Sequence, residues 1–92
     1  MIKMVKVTDL KAIDGHALWL RFSDGAEGVW DLADILADTG PMVEPLRDPA
    51  FFNRVFISFG VPTWPNGFDL DAIALHMDME KAGLLSVPAA AE

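Results

Sequence analysis

Hydrophobic and polar residues alternate through the first third of the chain. MVKVTDLKAI, ALWLRF and AEGVW each carry the two-residue period of a half-buried strand, and Asp14-Gly15 and Asp24-Gly25 separate them. An Asp-Gly pair supplies the positive φ angles that a tight hairpin turn demands. The pattern predicts an antiparallel meander with strands over about 4–13, 16–23 and 26–31. With Asp24-Gly25 as a two-residue loop, Ser23 pairs with Ala26, Leu20 with Val29 and Trp19 with Trp30. That register sets two indoles on one face, with Arg21 placed to stack on one of them. Leu18, Leu20, Phe22 and Val29 make the opposite face apolar as well, so helices of the chain cover one side and the other is left for a further cover.

The period then changes. Asp31 is the expected cap of a helix running through Asp38, with Asp34 in the first turn, where free N–H groups and the helix dipole favour a carboxylate. Leu32, Ile35 and Leu36 form its apolar face, and Gly40-Pro41 stops it. After the proline-containing loop to Pro49 and the short AFFNR, the β-branched and aromatic VFISF reads as a fourth strand.

In WPNGFDLD, Trp64 to Asp71, the flanking Pro62 and the internal Pro65 withhold ladder donors and Asn66-Gly67 is a turn dipeptide. The stretch is therefore an edge segment bending into a helix that starts at Ala72, capped by Asp69 or Asp71, with Phe68 and Leu70 packing back as a staple. That helix is apolar on two sides: Ile73, Met77 and Leu84 lie along one, and Leu75, Met79 and Ala82 along the other. The expected fold class is α+β, a small antiparallel sheet (a three-stranded meander plus one or two further strands) with two or three short helices. It forms a single compact domain over residues 1–80, followed by a frayed segment over 81–92.

Composition narrows what such a domain does. A chain of 92 residues has room for one core, and a content of 52% hydrophobic residues with three Trp and six Phe is that of a globular protein. Seven basic side chains against fourteen acidic ones leave a net charge of −7, a field that repels phosphate backbones and suits a basic partner. Nucleic-acid binding by the chain itself is not expected. The lack of cysteine removes disulfides and thiolate chemistry and suits a reducing compartment. MIKMVKV is broken by lysines where a signal peptide runs apolar, and no apolar run approaches the roughly 20 residues that span a bilayer. The reading is a cytoplasmic protein with no membrane partner.

Motifs with chemistry are sparse. Asp31, Asp34 and Asp38 make an acidic stripe, read either as a solvated capped face or as oxygen ligands for a hard cation, but no EF-hand loop is present. His16 and His76 belong to no HxxxH or HxH pattern, and His76 with Glu80 is an ordinary i,i+4 pair. Ser23, Ser58 and Ser86 lie outside any nucleophile elbow, and no glycine-rich phosphate loop occurs. No catalytic residue, metal or cofactor is assigned. Trp19, Trp30 and Trp64 are core residues on one reading and a binding platform on the other.

FSDG at 22–25, Asp31-Leu32 opening a helix, Phe52 with Val55 before a strand, and WPNGFDL at 64–70 leading into an apolar helix together resemble the small bacterial family known as domain of unknown function 2442. The resemblance covers residues 4 to about 76. It implies a compact α+β domain; some members carry a further helix-turn-helix, for which this chain ends too early. It implies no established activity. Family genes often neighbour another small protein in an arrangement similar to toxin–antitoxin pairs. The positions shared, Asp24, Gly25, Asn66, Gly67 and Asp69, are ones that turns and caps require.

The expectation is a non-enzymatic protein-protein interaction module, self-associating or binding a small partner protein, a basic one in the antitoxin-like case. Leu75, Met79 and Trp64 are its candidate partner-binding residues. The alternative is a small-ligand-binding or metal-dependent enzyme using Asp69, Asp71, Asp78 and His76.

Overall fold

The alternating segments form a three-stranded antiparallel sheet in the order β1-β2-β3, with β1 at Val7–Ile13, β2 at Ala17–Phe22 and β3 at Glu27–Asp31. The computed structural model describes residues 4–13, 15–37 and 40–87. Both hairpins are one residue longer at the turn than expected. Phe22 donates its N–H to the Ala26 carbonyl, which leaves Ser23, Asp24 and Gly25 as a three-residue loop with Gly25 at φ +91°. Asp24 accepts the Ala26 N–H on its carboxylate and so braces that loop. A one-residue slip moves every side chain of a strand to the other face. Trp19 accordingly pairs with Val29, and Trp30 with Leu18. The two indoles lie on opposite faces, Trp30 toward the core and Trp19 outward, where the Arg21 guanidinium stacks 5.2 Å from its ring centre.

At the first turn Asp14 lies outside the described residues, and Ile13 pairs with Ala17. Gly15 and His16 both take positive φ, +85° and +64°. His16 uses that conformation to donate from its ring to the Arg47 carbonyl at 2.9 Å, edge-on to Phe52. What reads as a turn-flanking polar residue ties the meander to the central loop.

Helix α1 is a single turn, Ala33–Leu36, shorter than the expected run to Asp38, which is outside the described residues. Leu32, not the expected Asp31, occupies the N-cap position; the Asp31 carboxylate, one residue earlier, accepts the Ala33 N–H at 2.8 Å. A 3-10 turn at Glu44–Arg47 and a one-turn helix α2 at Pro49–Phe52, capped by Asp48, carry the chain to β4. The fourth strand is half of a hairpin: β4 at Phe56–Ser58 pairs with β5 at Val61–Thr63 in a separate two-stranded sheet. Its two-residue loop, Phe59-Gly60, lies against β1, where the Gly60 carbonyl accepts the Val7 N–H.

The last helix, α3, spans Ala72–Lys81 and is capped by Asp71, which accepts the Ala74 N–H. Its buried residues are Ala72, Leu75, His76 and Met79. This i, i+3, i+4, i+7 stripe reverses the expected orientation. Leu75 and Met79 are 5% and 0% exposed, while Met77 is 41% exposed. His76 hides the phase, because a polar residue at the centre of a stripe reads as its solvent side. The ring is admitted to the core because its Nε2–H reaches the Asp24 carboxylate at 2.8 Å, a group that only accepts, and Phe22 packs edge-on against it.

One hydrophobic cluster joins Val5 and Val7, the inner residues Leu18, Leu20 and Phe22 of β2, Leu32 and Leu36, Leu46, Phe52, Trp64, and the α3 stripe. After α3 the chain turns back to the sheet. Leu84 donates to the Met79 carbonyl, and Ser86 and Glu27 exchange two backbone hydrogen bonds in an antiparallel bridge on the outer edge of β3. Gly28 makes this passage possible, since a Cβ there would meet the Leu84 carbonyl. Residues 88–92 of the expected frayed segment lie outside the described residues.

Candidate functional site

Most of the hydrogen bonding in the WPNGFDLD stretch serves the scaffold. Trp64 donates its N–H to Phe68 and accepts from Gly67, closing a turn with Gly67 at φ +92°. Asn66 accepts the Phe68 N–H and donates to the Met42 carbonyl at 3.0 Å, and the Trp64 indole N–H donates to the Phe52 carbonyl at 2.9 Å. Asp69 bridges back to Thr63 through its backbone, and Asp71 caps α3. Hydrogen-bonding capacity of this kind goes into bending and starting the chain.

The residues of the metal or enzyme alternative are dispersed by this arrangement. His76 turns to Asp24 on one side of α3, Asp71 and Asp78 line the other, and Asp69 belongs to neither group. Among the described residues no group of three or more His, Cys, Asp or Glu side chains is placed to hold a metal ion. Ser86 shares a shallow depression with Asp24 and His76, yet no hydrogen bond joins it to the imidazole.

The proposed partner-binding set requires correction. Trp64 and Met79 are fully enclosed by the core, packed there because α3 presents its Ala72-Leu75-His76-Met79 stripe to the sheet, so neither offers a surface to another molecule. Leu75 is buried too, with one edge of its side chain at the base of a cleft. A leucine-to-aspartate change there would disrupt the fold itself.

That cleft, about 350 Å³, opens between α3 on one side and the end of β3 with α1 on the other. Trp30, Ile35, Leu70, Ala74 and Leu75 supply its apolar walls. Its polar lining consists of four carboxylates, Asp31 and Asp34 from one side and Asp71 and Asp78 from the other, and no described Lys, Arg or His lines it. Local hydrogen bonds place two of these acids: Asp31, at the end of β3, accepts the first N–H of α1, and Asp71 caps α3. The other two follow by helical spacing, three and seven residues on. The sequence places Asp31 and Asp34 on a capped acidic face and Asp71 and Asp78 in the ligand set of the enzyme alternative, and it does not show their pairing, because the two groups lie about 40 residues apart along the chain. The signal within α3 was legible: Asp71, Ala74, Leu75 and Asp78 share one face at i, i+3, i+4 and i+7.

Two further surfaces carry exposed apolar groups. The outer face of the sheet exposes Val29 and Ile13, with Trp19 half-buried, beside an Asp9-Arg21-Glu27 row of ion pairs at 3.4 and 3.0 Å. The β4–β5 hairpin presents Phe56 and Ile57 and, at its tip, Phe59, 98% exposed at φ +51°.

No helix among the described residues is long and apolar enough to cross a membrane. No curated protein and no solved structure matches the chain. One family profile does, over residues 7–78, the stretch from β1 through most of α3 that supplies most of the core and every residue lining the acidic cleft. The chain therefore belongs to the family described as Protein of unknown function (DUF2442).

Proposed function

We propose that this protein is a non-enzymatic interaction module that takes up a basic, partly apolar segment of another protein in the cleft between α1 and α3. The observation that carries the reading is the composition of the cleft: apolar walls with Asp31, Asp34, Asp71 and Asp78 and, among the described residues, no lining cation. Lysine and arginine match both parts, since their methylene stems pack on apolar surface while the charged ends stay at the wet rim. Trp30 adds an aromatic face against which a cation is attracted. A net charge of −7 extends the same preference over longer range and speeds encounter with a basic partner. The resemblance to families encoded beside a second small protein agrees with a dedicated partner, in the manner of an antitoxin covering a basic toxin.

The test is a titration of isotope-labelled protein with a synthetic Lys/Leu-rich peptide, followed by amide and indole NMR shifts. Saturable shifts at Trp30, Ile35 and Ala74 are expected, weakening as salt is raised. Asp34→Lys combined with Asp78→Lys, two exposed positions that cap no helix, should remove them. Shifts that are absent, or that persist unchanged in this double variant, would refute the reading.

A further inference from the structure

We infer that the partner segment binds as an extended strand, adding to the free edge of β3 beside the cleft; this rests on the cleft being the docking site. The backbone directions along β3 are set by its hydrogen bonds. Ala26 accepts from Phe22, and Leu32 donates to His16, so even-numbered residues at both ends of β3 point their backbone groups toward β2. Glu27 points the opposite way and exchanges both of its bonds with Ser86. Successive residues of a strand alternate sides, so Val29 and Asp31 share the outward direction of Glu27.

The bridge stops there. Leu84 turns in to donate to Met79, and among the described residues no backbone partner meets Val29 or the Asp31 N–H. An open stretch of edge thus begins where the chain's own short strand leaves off, and it ends at the cleft, whose lining starts with Trp30 and Asp31. An unpaired edge is a template for another strand, with main-chain bonds giving affinity and pockets for alternate side chains giving specificity.

The occupant follows from the same geometry. A strand placed in line with Leu84–Ser86 sends every second side chain to the inner face, beside Trp30 and between the carboxylates of α1 and α3. The intervening side chains lie on the outer face next to Val29. The fitting ligand is a segment of a partner protein in which Lys or Arg alternates with apolar residues, the cations inward to the acidic rim. An amphipathic helix satisfies the charge but leaves the edge unpaired.

Three blocked peptides separate these cases: an alternating Lys-Val nonapeptide, the same peptide N-methylated at alternate residues, and a helix-forming Lys/Leu peptide of equal charge. The alternating peptide should bind, slow amide exchange at Val29 and Asp31 by roughly tenfold or more, and lose most of its affinity on N-methylation. Val29→Pro supplies a check from the protein side. Its lost N–H faces outward, so β2–β3 pairing is kept while the alternating peptide no longer binds. Equal binding of the N-methylated or helical peptide, still abolished by Asp34→Lys with Asp78→Lys, would overturn strand addition and leave the cleft reading in place. If none of the three peptides binds, both fall.

Discussion

Replacing Leu75 and Met77 one at a time decides which face of α3 is the core. Leu75 has 5% of its surface exposed and Met77 has 41%, although both are large apolar residues only two positions apart. Truncating a buried leucine to alanine costs about 2–5 kcal/mol, the lost transfer energy plus the void left behind. Leu75 sits at the base of an open cleft, so water and side chains can enter the vacated space and the low end of that range, about 2 kcal/mol, applies. Met79, fully enclosed, belongs higher, at about 3–4 kcal/mol. A chain of 92 residues has a total stability of about 5–14 kcal/mol, so either change is a large fraction of it. Met77→Ala should stay within about 0.5 kcal/mol, as surface substitutions do. Urea unfolding followed by far-ultraviolet circular dichroism reads the difference. With a slope near 1 kcal/mol/M, Leu75→Ala moves the midpoint down by about 2 M and Met77→Ala hardly moves it. Leu75→Asp, which also buries a carboxylate, should prevent folding. The reverse order, with Met77→Ala costly and Leu75→Ala silent, would refute the placement of α3.

Phe59→Asn should raise stability by about 1 kcal/mol, since Asn tolerates the left-handed conformation that a hairpin loop imposes and the phenyl ring at 98% exposure contributes no burial; a thermal melt checks it. Gly28→Ala should push Leu84 off β3, break the two Glu27–Ser86 hydrogen bonds at a cost of about 1–3 kcal/mol, and speed amide exchange at Ser86 while β1–β2 amides stay protected. Asp24→Ala should cost about 2 kcal/mol in urea unfolding, because it strips the acceptor from His76, a ring only 4% exposed, and unlocks the Ala26 N–H at the same turn.

Much of the fold was legible along the chain because it is encoded locally. Two-residue alternation between Asp-Gly turns gave three strands in the right order, and Asp71 caps its helix as an acidic side chain before an apolar run should. Asn66-Gly67 turns the chain because Asn supplies the side-chain bonds and Gly the positive φ. The failures share one cause, which is that the missing information lay on another element. Whether Asp24-Gly25 closes a two- or a three-residue loop cannot be read from the dipeptide, yet that single residue sends Trp30 inward and Trp19 outward. The phase of α3 turned on whether His76 had an acceptor within reach, and the acceptor is 52 residues away.

The candidate site follows the same division. Spacing along α3 put Asp71, Ala74, Leu75 and Asp78 on one face, and spacing after β3 put Asp31 and Asp34 together. Their convergence around a common cleft came only from packing α3 against the sheet through Leu75 and Met79, a contact that no local pattern specifies. Element type, turn chemistry and charge are short-range properties and were settled by the residues themselves. Register, helix phase and the meeting of the two acidic groups depend on which distant side chains fill the same space, so they exist only once the chain has folded.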